Sequence, residues 1–485
     1  MSDRIEVDGT ALHQQPHEVR AGEGAALPPR PSSGRAILSG RFNRIQSCED
    51  HRFDRACPSW ILFMTVTSTA PSAGERSSST LSAAVLVEAA ARWGTPLYVY
   101  DLETVKQRYL GLRHVLPPEV AIHYAFKANA NLSVVRALAG LGSGAEVCSA
   151  AELELAVVAG FPADKIILTG PGKTVEDLKA AVRAEVGLVA LESVGEARRL
   201  AAIAAAEARV QPVLLRIEPA EAASAGIELI RGAKFGVEEA AFLPAAQEIA
   251  GLRGLRFVGL HACAVSGARD VSSLLAHQER LIRLSSALAD AGVSHSSLDF
   301  GGGLNVPYDR SESPLDLDAF GRGVAAILPA RADGHYIIEP GRYLVAECGA
   351  YVTTVTDVKA SGGRPVVIVD GGIHHLYRPR LTRANRLVEA LAPHPGPARP
   401  TVLAGALPLP YDVFADDVLL PPLAPGDLVA IHRTGAYGFT HALTHFGLRA
   451  SAAEVVLDQG ALRLTRPRDD PRRLIAEQVA LERRN

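Results

Sequence analysis

The sequence predicts an α/β protein: a (β/α)8 TIM barrel with a separate all-β domain after it. Two observations carry that expectation. From residue 120 onward, short Val/Ile/Leu-rich runs alternate with longer amphipathic Ala/Leu/Glu/Arg stretches, the pattern of repeated strand-helix units. After Arg342 the long helical stretches stop, and strand-like runs follow one another directly.

Residues 1–80 differ in kind, with Pro, Ser, Arg, Gly and Glu dominant and no sustained apolar period. The two methionines are Met1 and Met64, so this stretch reads either as a disordered extension or as sequence ahead of a genuine start at Met64. Strand-like runs then fall at 122–126, 145–148, 166–169, 188–191, 213–217, 257–263, 297–300 and 336–338. Helical stretches at 151–159, 175–186, 194–208 and 272–291 lie between them. Eight strands interleaved with helices give a barrel over 101–342. Runs at 343–355, 365–370, 401–404, 428–431 and 453–457 give the β domain, 343–470 with 81–100, to which 95–100 adds a strand.

Composition narrows the function classes. The chain has 485 residues, 48% of them hydrophobic, enough for a large core and two domains. A net charge of -3 without a basic run argues against nucleic acid or an anionic membrane as partner. No apolar run approaches the roughly 20 residues that cross a bilayer. Five cysteines, at 48, 57, 148, 263 and 348, show neither CxxC spacing nor even pairing, which suits a reduced cytoplasmic protein without structural metal.

Active sites in such barrels lie at the C-terminal ends of the strands. Read in order, those ends carry Lys127, Glu146, Gly170, Glu192, Arg216, His261 with Cys263 and Ser266, then Gly301, Gly302 and Gly303, and finally Glu339 with Arg342. A lysine closing an apolar strand reads either as a side chain snorkelling to solvent or as a desolvated amine. Three glycines after the seventh strand, with Arg342 beyond the eighth, match the usual phosphate position, because glycine lets backbone N–H groups approach an oxygen closely. A phosphate site beside one desolvated lysine points to pyridoxal 5'-phosphate, whose aldehyde forms a Schiff base with an amine. Its ring nitrogen needs an acidic partner, for which Glu339 in IIEPGRY is the candidate; an ion pair with Arg342 is the alternative reading.

At this point a family resemblance becomes specific. HYAFKANAN, GAEVCSAAEL, KFGV, LDFGGGLNVPY, IIEPGRY, VVIVDGG with RP close behind, and PGDLVAIHRTGAYGFT stand in the order found in the fold type III pyridoxal-phosphate decarboxylases, the diaminopimelate, ornithine and arginine decarboxylases. The chain resembles that family from about residue 94 to about 456. The resemblance implies an alanine-racemase-like barrel, a C-terminal β domain, and a homodimer whose sites take residues from both subunits. It implies that Lys127 carries the cofactor and that Glu339 binds the pyridine nitrogen. Gly301, Gly302, Gly303, Arg342, Ser266 and Tyr437 would hold the phosphate, with Tyr437 as a packed strand tyrosine the alternative. Glu146, Glu152 and Arg216 would line the pocket, and Arg378 would hold a substrate carboxylate.

Two departures stand against the agreements. The family reads roughly H-x-H-x-G-S after strand six, whereas this chain has His261, Cys263 and Ser266, so Cys263 replaces the histidine on the cofactor's face. His261 sits two residues earlier, and strand alternation points it elsewhere. In GALPLPYD the family's cysteine, which helps protonate Cα from the partner subunit, is Pro408, and the acidic residue after it is Leu409. Asp412, Tyr411 and Cys263 are the candidates to serve instead, and Asp412 is placed among the substrate-binding residues.

The resemblance thus implies decarboxylation of a small α-amino acid, as in diaminopimelate decarboxylase. LTGPGK, VDGGIHH and the His445-Phe446 pair look more like the branch that acts on a glutamyl group tethered to an acyl carrier protein. The motifs also leave room for an amino-acid racemase or a catalytically dead cofactor-binding relative. Glu339 speaks against the racemase, where an arginine usually faces the ring nitrogen.

Overall fold

The structure is a computed structural model that describes residues 81–218, 234–263, 266–329, 334–377 and 387–484. The expectations for the N-terminal stretch, for a start at Met64 and for Arg378 lie outside these residues.

Eight parallel strands close on themselves: β1 Val120–Ala125, β2 Gly144–Val147, β3 Ile166–Leu168, β4 Leu188–Leu191, β5 Gln211–Glu218, β6 Leu255–His261, β7 Ser297–Asp299 and β8 His335–Ile338. Each pairs with the next, and β8 returns to β1 with Ile338 opposite Ile122. All eight are predominantly buried, as expected of strands covered on one face by helices and on the other by the barrel interior.

Local sequence fixes where each strand stops. Ser149 caps the helix Ala150–Ala159 by accepting from the Glu152 N–H, and Ser193 caps Val194–Ala206 by accepting from Glu196. In both, the glutamate reaches back: Glu152 accepts from the Cys148 amide at 2.7 Å, and Glu196 from the Glu192 amide at 3.3 Å. Only two residues therefore separate each helix from its strand. These tight turns hold Glu146, Cys148 and Glu192 at the barrel mouth.

The second sheet surrounds Leu97–Asp101, which runs antiparallel to Gly349–Ser361 and parallel to Ala453–Asp458. The 13-residue strand Gly349–Ser361 also pairs with Leu428–His432 and Arg364–Val369, and Arg399–Ala404 and Val413–Leu420 extend the sheet. One expectation fails here. Instead of a strand over 343–355, the chain makes the helical turns Arg342–Val345 and Ala346–Cys348 before the strand opens at Gly349. Tyr343, Leu344, Val345, Ala346 and Cys348 are all buried, so their apolar run carries no period to distinguish strand from helix. Among the described residues no helix is long and apolar enough to cross a membrane.

The junction between barrel and β domain is a backbone crossing. A Cβ on Gly435 would lie 1.9 Å from the Val345 carbonyl oxygen, and one on Gly349 would lie 2.4 Å from the Gly435 Cα. Asn129, two residues beyond Lys127, donates to the Gly435 carbonyl at 2.9 Å. We expect Gly435→Ala to destabilise the protein by about 1–3 kcal/mol in reversible chemical unfolding, because backbone must move to admit the methyl group. Gly111→Ala is the control: the helix Leu102–Val115 has open space there, and the substitution should stabilise by ~0.5–1 kcal/mol.

Candidate active site

Lys127 lies in the single turn Phe126–Ala128 directly after β1, with its side chain 45% exposed towards the barrel mouth. Its ammonium is ion-paired to Glu146, whose side chain is 1% exposed, at the end of β2. The other Glu146 oxygen accepts from the Thr169 hydroxyl and lies 3.3 Å from the Cys148 thiol. Burial alone would pull the Lys127 pKa down, but the Glu146 charge, with Cys148, Glu339 and Tyr437 behind it, holds it well above its ordinary value. Burial and the Glu146 charge push the Cys148 thiol up to about 12, so it stays un-ionised.

Glu339 follows β8 and is buried, with His261 Nε2 3.4 Å from its Oε2. Its Oε1 is buried without a hydrogen-bond partner, a carboxylate oxygen in need of a donor. Arg342 does not pair with it. The guanidinium lies instead 4.9 Å from the Tyr437 ring centre and 5.9 Å from that of Tyr308.

Between β7 and the following helix, Gly301 has φ +65° and Gly303 φ +117°, conformations that favour glycine. Cβ atoms would meet the Ala262 oxygen at 2.7 Å and Cys263 Cβ at 2.8 Å from Gly301, and the Glu339 carbonyl at 2.6 Å from Gly302. The ends of β6, β7 and β8 are thus drawn together, and Cys263 is brought against the triplet. Ser266 is exposed on the same connection. Tyr437, at φ +55°, donates its amide to Ala128 at 2.8 Å, while the Thr440 hydroxyl donates to the Lys127 carbonyl at 3.0 Å. A segment of the β domain therefore closes directly over the lysine turn.

Arg216, at the end of β5, is fixed by Glu192 at 2.9 Å and by the Phe235 ring at 4.4 Å. The second Glu192 oxygen accepts from the Gly236 amide at 2.5 Å. Glu196 is in turn paired at 2.8 Å with Lys173, whose side chain is fully buried. Asp412 stands elsewhere, buried in the β domain. Its two oxygens accept from the amides of Ile373 and Leu407, both at 2.7 Å, so it ties two loops together. Pro408 and Tyr411 on that loop are exposed.

The structure thus gathers Lys127, Glu146, Arg216, Cys263, the glycine triplet, Glu339, Arg342 and Tyr437 around one mouth, and leaves Asp412 out. Two members escape a reading of strand ends: Asp299, which looks like an ordinary strand terminus before the glycines, and His261 as a neighbour of Glu339. The site fits pyridoxal phosphate: an amine, a partnerless carboxylate oxygen opposite it, and a glycine cradle that any side chain would fill.

Comparison with known proteins agrees. Residues 102–346 match the family model described as pyridoxal-dependent decarboxylase, pyridoxal binding domain. The chain is 31% identical over 407 residues, 81% of this chain and 95% of the relative, to the L-glutamyl-[BtrI acyl-carrier protein] decarboxylase of Niallia circulans. It is 32% identical over 394 residues, 79% of this chain and 92% of the relative, to the diaminopimelate decarboxylase of Aquifex aeolicus. Among solved structures, diaminopimelate decarboxylase from Helicobacter pylori complexed with L-lysine superposes with a TM-score of 0.75 at 29% identity, covering 81% of this chain and all of that one. The chain belongs to the pyridoxal-dependent decarboxylase family.

The raised Lys127 pKa has a consequence for cofactor uptake. The amine is protonated across the neutral range, and only its neutral form attacks an aldehyde, so uptake by the cofactor-free protein should quicken as pH rises. Removing the negative charge with Glu146→Gln should move the uptake profile, followed by stopped-flow absorbance, to lower pH by about one unit or more.

Proposed function

We propose that this pyridoxal-phosphate amino-acid decarboxylase works through Lys127 and Glu339, and that Arg342, Tyr437, Ser266 and the triplet Gly301, Gly302 and Gly303 hold the cofactor's phosphate. The observation that carries the reading is a buried carboxylate, Glu339, whose charge acts on the strand-end amine of Lys127.

When bound, pyridoxal phosphate supplies an aldehyde that takes up an amine and a ring that accepts the electrons left on Cα as carbon dioxide departs. The chain supplies the rest. Lys127 gives up a proton to its surroundings, Glu146 being the nearest acceptor, and offers Nζ for attachment until a substrate amine displaces it. Glu339 keeps a negative charge under the ring nitrogen, favouring the protonated ring and hence decarboxylation over racemisation. Glycine amides and the Arg342 guanidinium would hold the phosphate, and Tyr437, stacked on Arg342, would keep that guanidinium in place. Arg216 and Cys263 line the remaining wall, and Arg378 is assigned the substrate carboxylate.

Reprotonation of Cα needs a donor that Pro408 cannot be. With both oxygens of Asp412 engaged by backbone amides, Tyr411 on the exposed loop and Cys263 beside the triplet are the candidates that fit. A homodimer with shared sites belongs to the same reading, since it lets the exposed Tyr411 reach a neighbouring mouth. The free thiols Cys148, Cys263 and Cys348 accord with the cytoplasm.

A second reading has its own support. Leu409 removes the carboxylate that would meet the far amino-acid centre of diaminopimelate, and a relative covered over 95% of its length is named for a carrier-bound glutamyl substrate. On that reading the substrate is a glutamyl group tethered to a carrier protein.

Purified with pyridoxal phosphate, the protein should show visible absorption from the lysine-bound cofactor, and Lys127→Ala should abolish it; a colourless wild type contradicts the assignment. Carbon dioxide release should then be measured from free diaminopimelate, lysine, ornithine and carrier-bound glutamate. Release from the tethered substrate alone selects the second reading. Cα proton exchange without carbon dioxide release contradicts decarboxylation. Replacing the true Cα proton donor, tested as Cys263→Ala and Tyr411→Phe, should cost roughly 10²- to 10⁴-fold in kcat.

A further inference from the structure

Asp299 has no part in the roles assigned so far, yet it is the most deeply placed acid of the site. It ends β7, is fully buried, and stands opposite His261 in the β6–β7 register. Its Oδ1 accepts from the Gly301 amide at 2.9 Å, and the Glu339 amide donates to the Gly301 carbonyl at 2.8 Å. The Asp299 carboxyl and the Glu339 backbone therefore bracket one residue, Gly301, the first of the glycine cradle. Asp299 Oδ2 and Glu339 Oε1 are both buried without a hydrogen-bond partner, and oxygen and nitrogen atoms of Asp299, Glu339 and His261 lie within 4.8 Å of one another.

Two carboxyls this close and this dry cannot both ionise, because each charge lacks solvent and repels the other. The surroundings decide which keeps the proton. Glu339 faces His261 directly, and Lys127 and Arg216 also act on it; despite its burial, these neighbours hold it ionised. Asp299 has only the Gly301 amide to favour its charge, against burial and the fields of Glu339 and Glu146, which push its pKa well up.

We propose that Asp299 is the un-ionised member of a carboxylic acid–carboxylate pair with Glu339, a positioning residue that turns its proton towards Glu339 and its other oxygen to the Gly301 amide. One side chain then sets both the charge beneath the cofactor's ring nitrogen and the seat of its phosphate cradle. The inference rests on the assignment of Glu339 to the ring nitrogen, but the ionisation of the pair can be read without cofactor.

Difference infrared spectroscopy of the cofactor-free protein at pH 8, wild type minus Asp299→Asn, should show the carbonyl stretch of an un-ionised carboxylic acid. The same band should persist but shift in frequency in Glu339→Gln, where burial keeps Asp299 un-ionised and the charged acceptor of its proton is gone. Asparagine reproduces the un-ionised carboxyl, donating an N–H to Glu339 and accepting from Gly301. Pyridoxal-phosphate affinity measured by fluorescence should therefore stay within about threefold in Asp299→Asn and fall by roughly tenfold or more in Asp299→Ala. Melting temperatures of all three variants show whether a lost band reflects misfolding. Absence of the acid band from folded wild type overturns the proposal, as does an Asp299→Asn as damaging to affinity as Asp299→Ala. Stoichiometric binding of a divalent metal to His261, Asp299 and Glu339 in the cofactor-free protein overturns it as well. If the band behaves as stated but the cofactor does not bind, the pair stands and the assignment of Glu339 to the cofactor falls.

Discussion

The charge on Glu339 is the quantity that the rest of the site is built to preserve. A buried carboxylate at the mouth of a barrel would ordinarily take up a proton, because burial withdraws the water that stabilises it. Here His261 stands 3.4 Å away, and Lys127 lies across the mouth. The barrel makes this arrangement available because each strand delivers one side chain to the same rim, and short Ser-capped turns keep those side chains from drifting outward. Loss of registry between β6, β7 and β8 would separate the histidine, the aspartate and the glutamate at once. Close backbone approach at Gly301 and Gly302, which leaves no room for a side chain, is what holds that registry.

Much of this was legible in the sequence, and what was legible followed from strand ends. Lys127, Glu146, Arg216 and Glu339 stand where apolar runs stop, so counting strands is enough to place them on one rim. The β domain was less legible because its partners are remote in the chain: Leu97–Asp101 pairs with Gly349–Ser361 and Ala453–Asp458, and no local pattern announces such contacts. Residues 343–348 misled for a different reason, since a fully buried apolar run fits a helical turn as well as a strand. Val413–Leu420 was missed because Asp416 and Asp417 break its apolar pattern on an exposed face. Asp299 was invisible because a strand-terminal aspartate before glycines reads as turn chemistry. Only its burial beside a second carboxyl distinguishes it.

The departures from the family fall at two places, Cys263 on the cofactor's wall and the loop that carries Pro408 and Leu409. Residues that attach the cofactor and take up charge agree with the pattern, whereas the loop carrying Pro408 and Leu409 does not. Asp412, the acid left on that loop, accepts from the amides of Ile373 and Leu407, which explains its burial.

An experimental structure with pyridoxal phosphate bound tests the central claim most directly. The expected result is density continuous from Lys127 Nζ to the cofactor, a Glu339 oxygen within hydrogen-bond distance of the ring nitrogen, and the phosphate against the Gly301, Gly302 and Gly303 amides. A cofactor attached elsewhere, or a ring nitrogen facing anything other than Glu339, would contradict it.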